Sequence, residues 1–261
     1  MFVVQDLLSV ASGTLVGFTL GLVGGGGSIL AVPLLVYVVG VASPHIAIGT
    51  SAVAVAASAA VNLFGHARGG TVKWPCALVF TAAGIVGAAG GAQLGKMMDG
   101  GRLLALFGAL MIVVGLAMLR RRKSEGDPDV RLTRDSARRL LPMLIGTGLI
   151  VGGLSGFFGI GGGFLIVPGL MGATAMPLMN AIGSSLVSVT AFGLTTASSY
   201  ALSGLVDWRI AAFFVLGGAI GGFAGIQAAK LFAGSKRGLS LVFAGIVISV
   251  GVYVVATALM R

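Results

Sequence analysis

The stretch GLVGGGGSILAVP at residues 21–33 decides the fold, because a second copy, GFFGIGGGFLIVP, occupies residues 156–168. Both copies lie within long stretches that carry no charged side chain, residues 7–67 and 140–206. Glycine destabilises a helix by about 1 kcal/mol relative to alanine, so a cluster of glycines weakens a helix at that point. The repeated phrase therefore predicts two helices that are interrupted at corresponding places.

The composition places these helices in a membrane. The chain has 261 residues, of which 57% are hydrophobic and 9% are charged, and its mean hydropathy is +1.07. Soluble domains carry about 25% charged residues, and a membrane-spanning helix needs about 20 apolar residues. The sequence predicts an all-α polytopic membrane protein, and the 45 glycines suit close packing of its helices.

The similarity between the two halves extends beyond the glycines. Residues 47–51 (AIGTS) align with residues 181–185 (AIGSS), and Trp74 aligns with Trp208. We predict a first repeat at residues 1–119, a basic linker at 120–139 and a second repeat at 140–261. Each repeat contains four of the eight hydrophobic segments, at about 4–39, 45–65, 74–96, 102–119, 140–171, 177–202, 209–230 and 237–260.

The first segment of each half is too long for one crossing. A helix of about 36 residues would extend about 54 Å, against a hydrocarbon core of about 30 Å. A broken or re-entrant first segment would give each half an odd number of crossings and make the halves inverted repeats, which is the arrangement we favour. A kinked but spanning segment would make the halves parallel repeats.

The net charge of +10 raises the alternative of nucleic-acid binding. Eight lysines and arginines, however, fall in the linker at 120–139, between hydrophobic segments. Basic loops stay on the cytoplasmic side, so we interpret the linker as a cytoplasmic loop of a multi-pass protein of the cell (inner) membrane. The inverted arrangement places 13 lysines and arginines inside and 4 outside, and the parallel one places 12 and 5, so both obey the rule.

The repeated pattern G-x-x-G-x-G-G-x-x-L-x-V-P, the I-G-[TS]-S element after it and the length near 260 residues carry a family resemblance. They resemble the sulfite exporter TauE/SafE family, also called TSUP transporters. The resemblance covers nearly the whole chain. It implies transport of small sulfur-containing anions such as sulfite, sulfoacetate or other organosulfonates.

An anion inside a membrane needs new hydrogen-bond donors, because an unpaired charge in hydrocarbon is costly. An interrupted helix provides them through the free N–H groups and the positive dipole end of its second piece, and paired interruptions are typical of transporter binding sites. Glycines in membrane helices also serve packing alone, which is the alternative for the glycines at 84, 87 and 91 and their counterparts. The candidate substrate-binding residues at the two breaks are Gly24, Gly25, Gly26, Gly27, Ser28, Gly159, Gly161, Gly162 and Gly163.

Polar side chains one segment later are further candidates. Thr50, Ser51, Ser184 and Ser185 could donate to the anion, or could bond to carbonyls of their own helices. Gln93, Gln227, Lys96 and Lys230 could form a vestibule that attracts anions, although lysines at helix ends commonly extend to the lipid headgroups.

Other classes of protein fit the sequence less well. A membrane enzyme would need a nucleophile, metal ligands or an acid–base pair in the membrane, and one cysteine with two histidines offers no such set. We therefore expect no cofactor, no metal and no catalysis. An anion channel and a purely structural membrane protein remain as rivals, and the sequence leaves a homodimer open.

Overall fold

The computed structural model describes residues 2–120, 134–159, 161–231 and 236–259, and all regular secondary structure in these ranges is helical. Seven helices are long and apolar enough to cross a membrane, which confirms the all-α polytopic fold. The α-helices are α1 (Phe2–Val23), α2 (Ala31–Pro33), α3 (Pro44–Arg68), α4 (Trp74–Met97), α5 (Gly100–Arg120), α6 (Arg134–Phe158), α7 (Gly163–Thr174), α8 (Leu178–Ala201), α9 (Trp208–Leu231) and α10 (Lys236–Leu259).

Local sequence signals set several helix starts. The Oγ of Ser43 accepts a hydrogen bond from the backbone N–H of Ile46 at 3.5 Å, and Pro44 occupies the first turn of α3. This is the usual combination of an N-cap serine with a proline that has no N–H to lose. Pro177 directly precedes α8. The two tryptophans that align in the repeat begin α4 and α9.

Most of the predicted linker, residues 121–133, lies outside the described residues. The helix that follows it, α6, begins at Arg134, six residues before the predicted hydrophobic segment. Arg138 and Arg139 lie within this first part of α6, and both are exposed. The helix therefore extends past the apolar segment, into a region where its charged side chains can meet water.

The first long segment of each half is interrupted at its glycines, as the sequence predicts. In the first half α1 ends at Val23 and a 3₁₀ turn, Gly24–Leu30, comes next; we call residues 24–30 the first break. In the second half α6 ends at Phe158 and α7 begins at Gly163; we call residues 159–163 the second break.

After each break the chain folds back along the helix that it has just left. In the first half, the Nε2 of Gln5 donates to the carbonyl of Val39 at 3.3 Å, so residue 39 has returned to the beginning of α1. In the second half, a Cβ at Gly169 would lie 3.3 Å from the Cγ2 of Val151. Both first segments are therefore helical hairpins.

The first helix of each half packs against the third long helix of the other half. Helix α1 lies along α9, and its counterpart α6 lies along α4. The contacts are made by glycine on glycine: a Cβ at Gly17 would overlap the backbone of Gly218, and one at Gly152 would overlap the backbone of Gly84. Because membrane helices gain their stability from such close approach, these glycines serve packing rather than binding.

The last helices of the two halves run in opposite directions. Gly108 of α5 lies beside Val255 of α10, whereas Gly115, two turns later in α5, lies beside Ile248. The partner number falls as the α5 number rises, so α5 and α10 are antiparallel. Helices α1 and α9, by contrast, run parallel, because Gly13 meets Phe214 and Phe18 meets Gly225.

Candidate functional site

The second break contains three glycines with left-handed backbone. Gly159, Gly161 and Gly162 have φ angles of +67°, +63° and +65°, a conformation that costs a residue with a side chain about 1–2 kcal/mol. Gly162 is the N-cap of α7, and no side chain caps this helix. The carbonyl of Gly162 accepts from the N–H groups of Leu165 and Ile166 at 2.8 and 2.9 Å. The N–H groups at the start of α7, before Leu165, therefore point toward the second break.

The second break lies at the centre of the bundle. A Cβ at Gly161 would be 3.0 Å from the Cγ1 of Val55 and 3.2 Å from the Cγ1 of Val189. These valines occupy corresponding positions in the repeat, near the middle of α3 and α8, and these two helices pack on one another. The first break packs against α8 and against α7, the helix that follows the second break.

The two breaks differ in their backbone. The first break is a continuous 3₁₀ turn, in which N–H groups bond to carbonyls three residues earlier. Within it, Gly27 is buried against Thr19 and Leu20, and Ser28 is fully buried. The structure describes the backbone of Gly24, Gly25 and Gly26 but not their surroundings. The second break, with its left-handed glycines, interrupts the helix in a different conformation.

Ser51 connects the second break to α3. Its Oγ lies 2.8 Å from the carbonyl oxygen of Ile48 and 3.3 Å from the carbonyl oxygen of Gly159. A Cβ at Gly159 would overlap the side chain of Ile48. The corresponding Ser185 donates to the carbonyl of Ile182 at 2.8 Å. Both serines therefore make the bond to their own helix that the sequence left as an alternative, and Ser51 also lies at the break.

Thr50 and Ser184 have partners at the ends of the bundle. The hydroxyl of Thr50 accepts from the backbone N–H of Asp207 at 2.9 Å, and that of Ser184 accepts from the backbone N–H of Lys73 at 2.9 Å. The two bonds correspond in the repeat, and each holds the start of a helix in the other half. We therefore leave Thr50 and Ser184 out of the proposed site.

The vestibule candidates lie at a helix end, apart from the breaks. The Nζ of Lys96 donates to the carbonyl of Ser199 and to the Oγ of Ser203, both at 3.1 Å. A lysine there favourably meets the negative end of the α8 dipole. Gln93 and Gln227 are exposed, and the side chain of Lys230 lies outside the described residues.

Sequence reasoning missed one polar residue at the second break. Ser155, one turn before the end of α6, is fully buried, and its Oγ has no hydrogen-bond partner. A Cβ at Gly162 would lie 2.7 Å from this oxygen. The repeat gives no signal for Ser155, because the corresponding residue of the first half is Leu20.

Comparison with known proteins identifies the chain. The family model described as sulfite exporter TauE/SafE matches residues 9–254. The chain belongs to the TauE/SafE family. A probable membrane transporter protein of Xylella fastidiosa (strain 9a5c) is 53% identical over 253 residues, which cover 97% of this chain and 96% of the relative. The probable membrane transporter protein YunE of Bacillus subtilis (strain 168) is 29% identical, over 85% of this chain and 86% of the relative. No solved structure matches the chain.

This TauE/SafE protein is thus a multi-pass membrane transporter, as its family and relatives are named. The side chains nearest to its second break are neutral: Ile48, Val55, Ser155 and Val189. Among the described residues, the ion pair between Arg209 and Asp6, at 2.6 Å, joins the starts of α9 and α1. The glycines of the second break thus have neutral side chains as their nearest neighbours in the described part of the chain.

Proposed function

We propose that the protein transports small sulfur-containing anions, such as sulfite or organosulfonates, across the cell membrane, and that the anion binds at mid-membrane beside the two glycine breaks. The chemistry of the cargo is that in the name of its family. The observation that carries the site is the start of α7: an uncapped N-terminus that follows left-handed glycines at the crossing of α3 and α8.

Peptide dipoles supply the stabilisation that such an anion needs. The N-terminus of a helix carries about half a positive charge, and its first N–H groups have no partner within the helix. Gly161 and Gly162 have no side chains to hold an anion away from these groups. Because the surrounding valines and isoleucine exclude water, each hydrogen bond to the anion counts for more than it would in water.

The membrane potential supplies a driving force for export. An anion that leaves a cytoplasm at negative potential gains about 2.3 kcal/mol per charge per 100 mV. The apolar segments hold no carboxylate that could relay protons, since Asp6, Asp99 and Asp207 stand at segment ends. Export could therefore run without a coupling ion.

The antiparallel course of α5 and α10 supports two inverted halves, with the linker and the loop at 69–73 on one side of the membrane. Residues 66–73, 120–139 and 230–237 carry 13 of the 17 lysines and arginines, so this side is the cytoplasm. Two hairpins, each packed on the opposite half, provide the elements whose relative movement would open the site to one side and then to the other.

Binding to the purified protein is the first test. Sulfite, thiosulfate, sulfate, a short-chain sulfonate and a carboxylate of similar size would be titrated in turn by isothermal calorimetry. We expect the sulfur oxyanions to bind and the carboxylate to bind more weakly. Preference for the carboxylate would indicate transport of another small organic anion and would contradict the proposed cargo.

Flux into proteoliposomes tests the mechanism. We expect sulfite flux to follow an imposed potential, and both Gly26→Leu and Gly161→Leu to abolish it while the purified variants keep a cooperative thermal transition. Sulfite flux that is independent of the membrane potential and requires a proton or sodium gradient would contradict uncoupled export. Single-channel currents well above carrier turnover would favour an anion channel. Full flux in both leucine variants would remove the breaks from the site.

A further inference from the structure

Ser155 is one of four serine and threonine side chains in the described helices whose hydroxyl is buried without a hydrogen-bond partner; the others are Ser12, Thr196 and Ser199. Serines and threonines in helices usually donate to the carbonyl three or four residues earlier, as Ser9, Thr14 and Thr190 do here at 2.7–2.8 Å. The Oγ of Ser155 makes no such bond and has no other partner, although its residue is 0% exposed. A buried hydroxyl without a partner is costly, and its position therefore calls for an explanation.

The hydroxyl of Ser155 faces the start of α7. Gly162, the N-cap of this twelve-residue helix, is so close that a Cβ on it would lie 2.6 Å from the Cβ and 2.7 Å from the Oγ of Ser155. An uncapped helix start and an unpartnered hydroxyl thus meet at one place. Both are hydrogen-bond donors, and an anion is the ligand that accepts from both.

Among the described residues, the first half has no equivalent of Ser155. Leu20 stands where Ser155 stands in the second half, and it is 1% exposed and part of the apolar core. The backbone that follows it is a 3₁₀ turn, in place of left-handed glycines. The two halves therefore differ at this position, although they share a fold.

We infer that the anion site is asymmetric: the second break binds the anion, and Ser155 donates its hydroxyl proton to one oxygen of a bound oxyanion while the first N–H groups of α7 hold the others. The inference rests on the proposed function, and it adds a specificity-determining residue to it: the cargo must present an oxygen acceptor to Ser155.

The substitution Ser155→Ala separates this role from a structural one. Loss of a hydrogen bond to a charged group should weaken sulfite binding by about 10- to 100-fold. The thermal transition of the anion-free variant should stay the same or rise, because the alanine no longer buries an unpaired hydroxyl. A structural hydroxyl would give the opposite pattern, with lower stability and unchanged affinity. Ser155→Cys keeps the size and a weak donor, and should give an intermediate affinity.

Leu20→Ala is the matched control, because it alters the corresponding position of the first half. It should lower the melting temperature through the cavity that it creates. Its affinity for sulfite should change by less than about 3-fold, because binding does not use this side chain. Calorimetric titration with sulfite and with thiosulfate, and thermal melting without either, provide both readouts for each variant.

The outcomes separate the two proposals. If the wild-type protein binds neither anion, the proposed function fails and this inference fails with it. If the wild type binds and Ser155→Ala binds equally well, or if Ser155→Ala lowers the anion-free melting temperature, the role of Ser155 is wrong while the proposed function stands. Weaker binding by Leu20→Ala, equal to that of Ser155→Ala, would contradict the asymmetry.

Discussion

Two adjacent glycines of α4 provide a direct test of how the halves interlock. Gly91 faces α6: a Cβ there would lie 2.9 Å from both the carbonyl carbon of Gly153 and the amide nitrogen of Phe157. Gly90 has no atom of another residue within 4 Å of the same position and is exposed. The variants Gly91→Ala and Gly90→Ala therefore add the same methyl group to the same helix, one inside the interface and one outside it.

The geometry sets the size of the effect. A Cβ on Gly91 would also overlap the carbonyl oxygen of Gly153, whereas ordinary Cβ contacts lie at 3.4–4 Å. Helix α6 must therefore move away by about 1 Å to accept the methyl group of Gly91→Ala. Such a gap forfeits about a quarter to a half of each dispersion contact, and overpacking of this kind costs about 1–3 kcal/mol. For a chain of this size that cost corresponds to a melting temperature lower by about 2–12 °C. Gly90→Ala should leave it unchanged or raise it, since alanine favours the helix.

The assay is thermal unfolding of both purified variants in one detergent at one scan rate, because membrane proteins commonly unfold irreversibly and the apparent midpoint depends on the rate. Gly146→Ala and Gly152→Ala form the matched pair on α6, where only Gly152 meets α4. If the inward and outward variants of either pair melt at the same temperature, the close packing of α4 on α6 is refuted.

Two further predictions concern topology and the ends of the bundle. The first uses a protein without its native thiol (Cys76→Ala) and adds one cysteine at either of two corresponding open turn positions, Gly70 and Gly204. Gly70→Cys should react with a membrane-impermeant maleimide only from the cytoplasmic side, and Gly204→Cys only from the outside. Parallel halves would instead expose both cysteines on the same side. The second is that Thr50→Val and Ser184→Ala each lower the free energy of unfolding by about 0.5–1.5 kcal/mol, the usual contribution of a hydrogen bond, and leave the KM for sulfite flux unchanged. A raised KM with unchanged stability would indicate that these hydroxyls bind the anion.

Much of the fold follows from the sequence because its signals are periodic and repeated. The glycine clusters predicted both interruptions, and the aligned tryptophans mark the starts of α4 and α9. The sequence could not show that similar clusters adopt different backbones, a 3₁₀ turn in one half and left-handed glycines in the other. That choice depends on packing around the glycines, which a local pattern does not contain.

The site that we propose differs from the sequence candidates for two physical reasons. Repetition singled out Thr50 and Ser184, but a feature that both halves share serves the symmetric scaffold as readily as the cargo, and their hydroxyls hold helix starts. Repetition also concealed Ser155, because a donor present in one half alone has no counterpart to align with. A search for symmetry cannot find an asymmetric site of the kind that we propose.

The exchange of first helices between the halves has a consequence for biosynthesis. The partner of α1 is α9, which ends about 200 residues later in the chain. At about 5–20 residues per second, the ribosome needs about 10–40 s to complete that partner. During this interval the glycine face of α1 lies in the bilayer without its packing partner, so a translocase or chaperone has time to cover it. A chain truncated before α9 should therefore be degraded and should not accumulate as a stable protein.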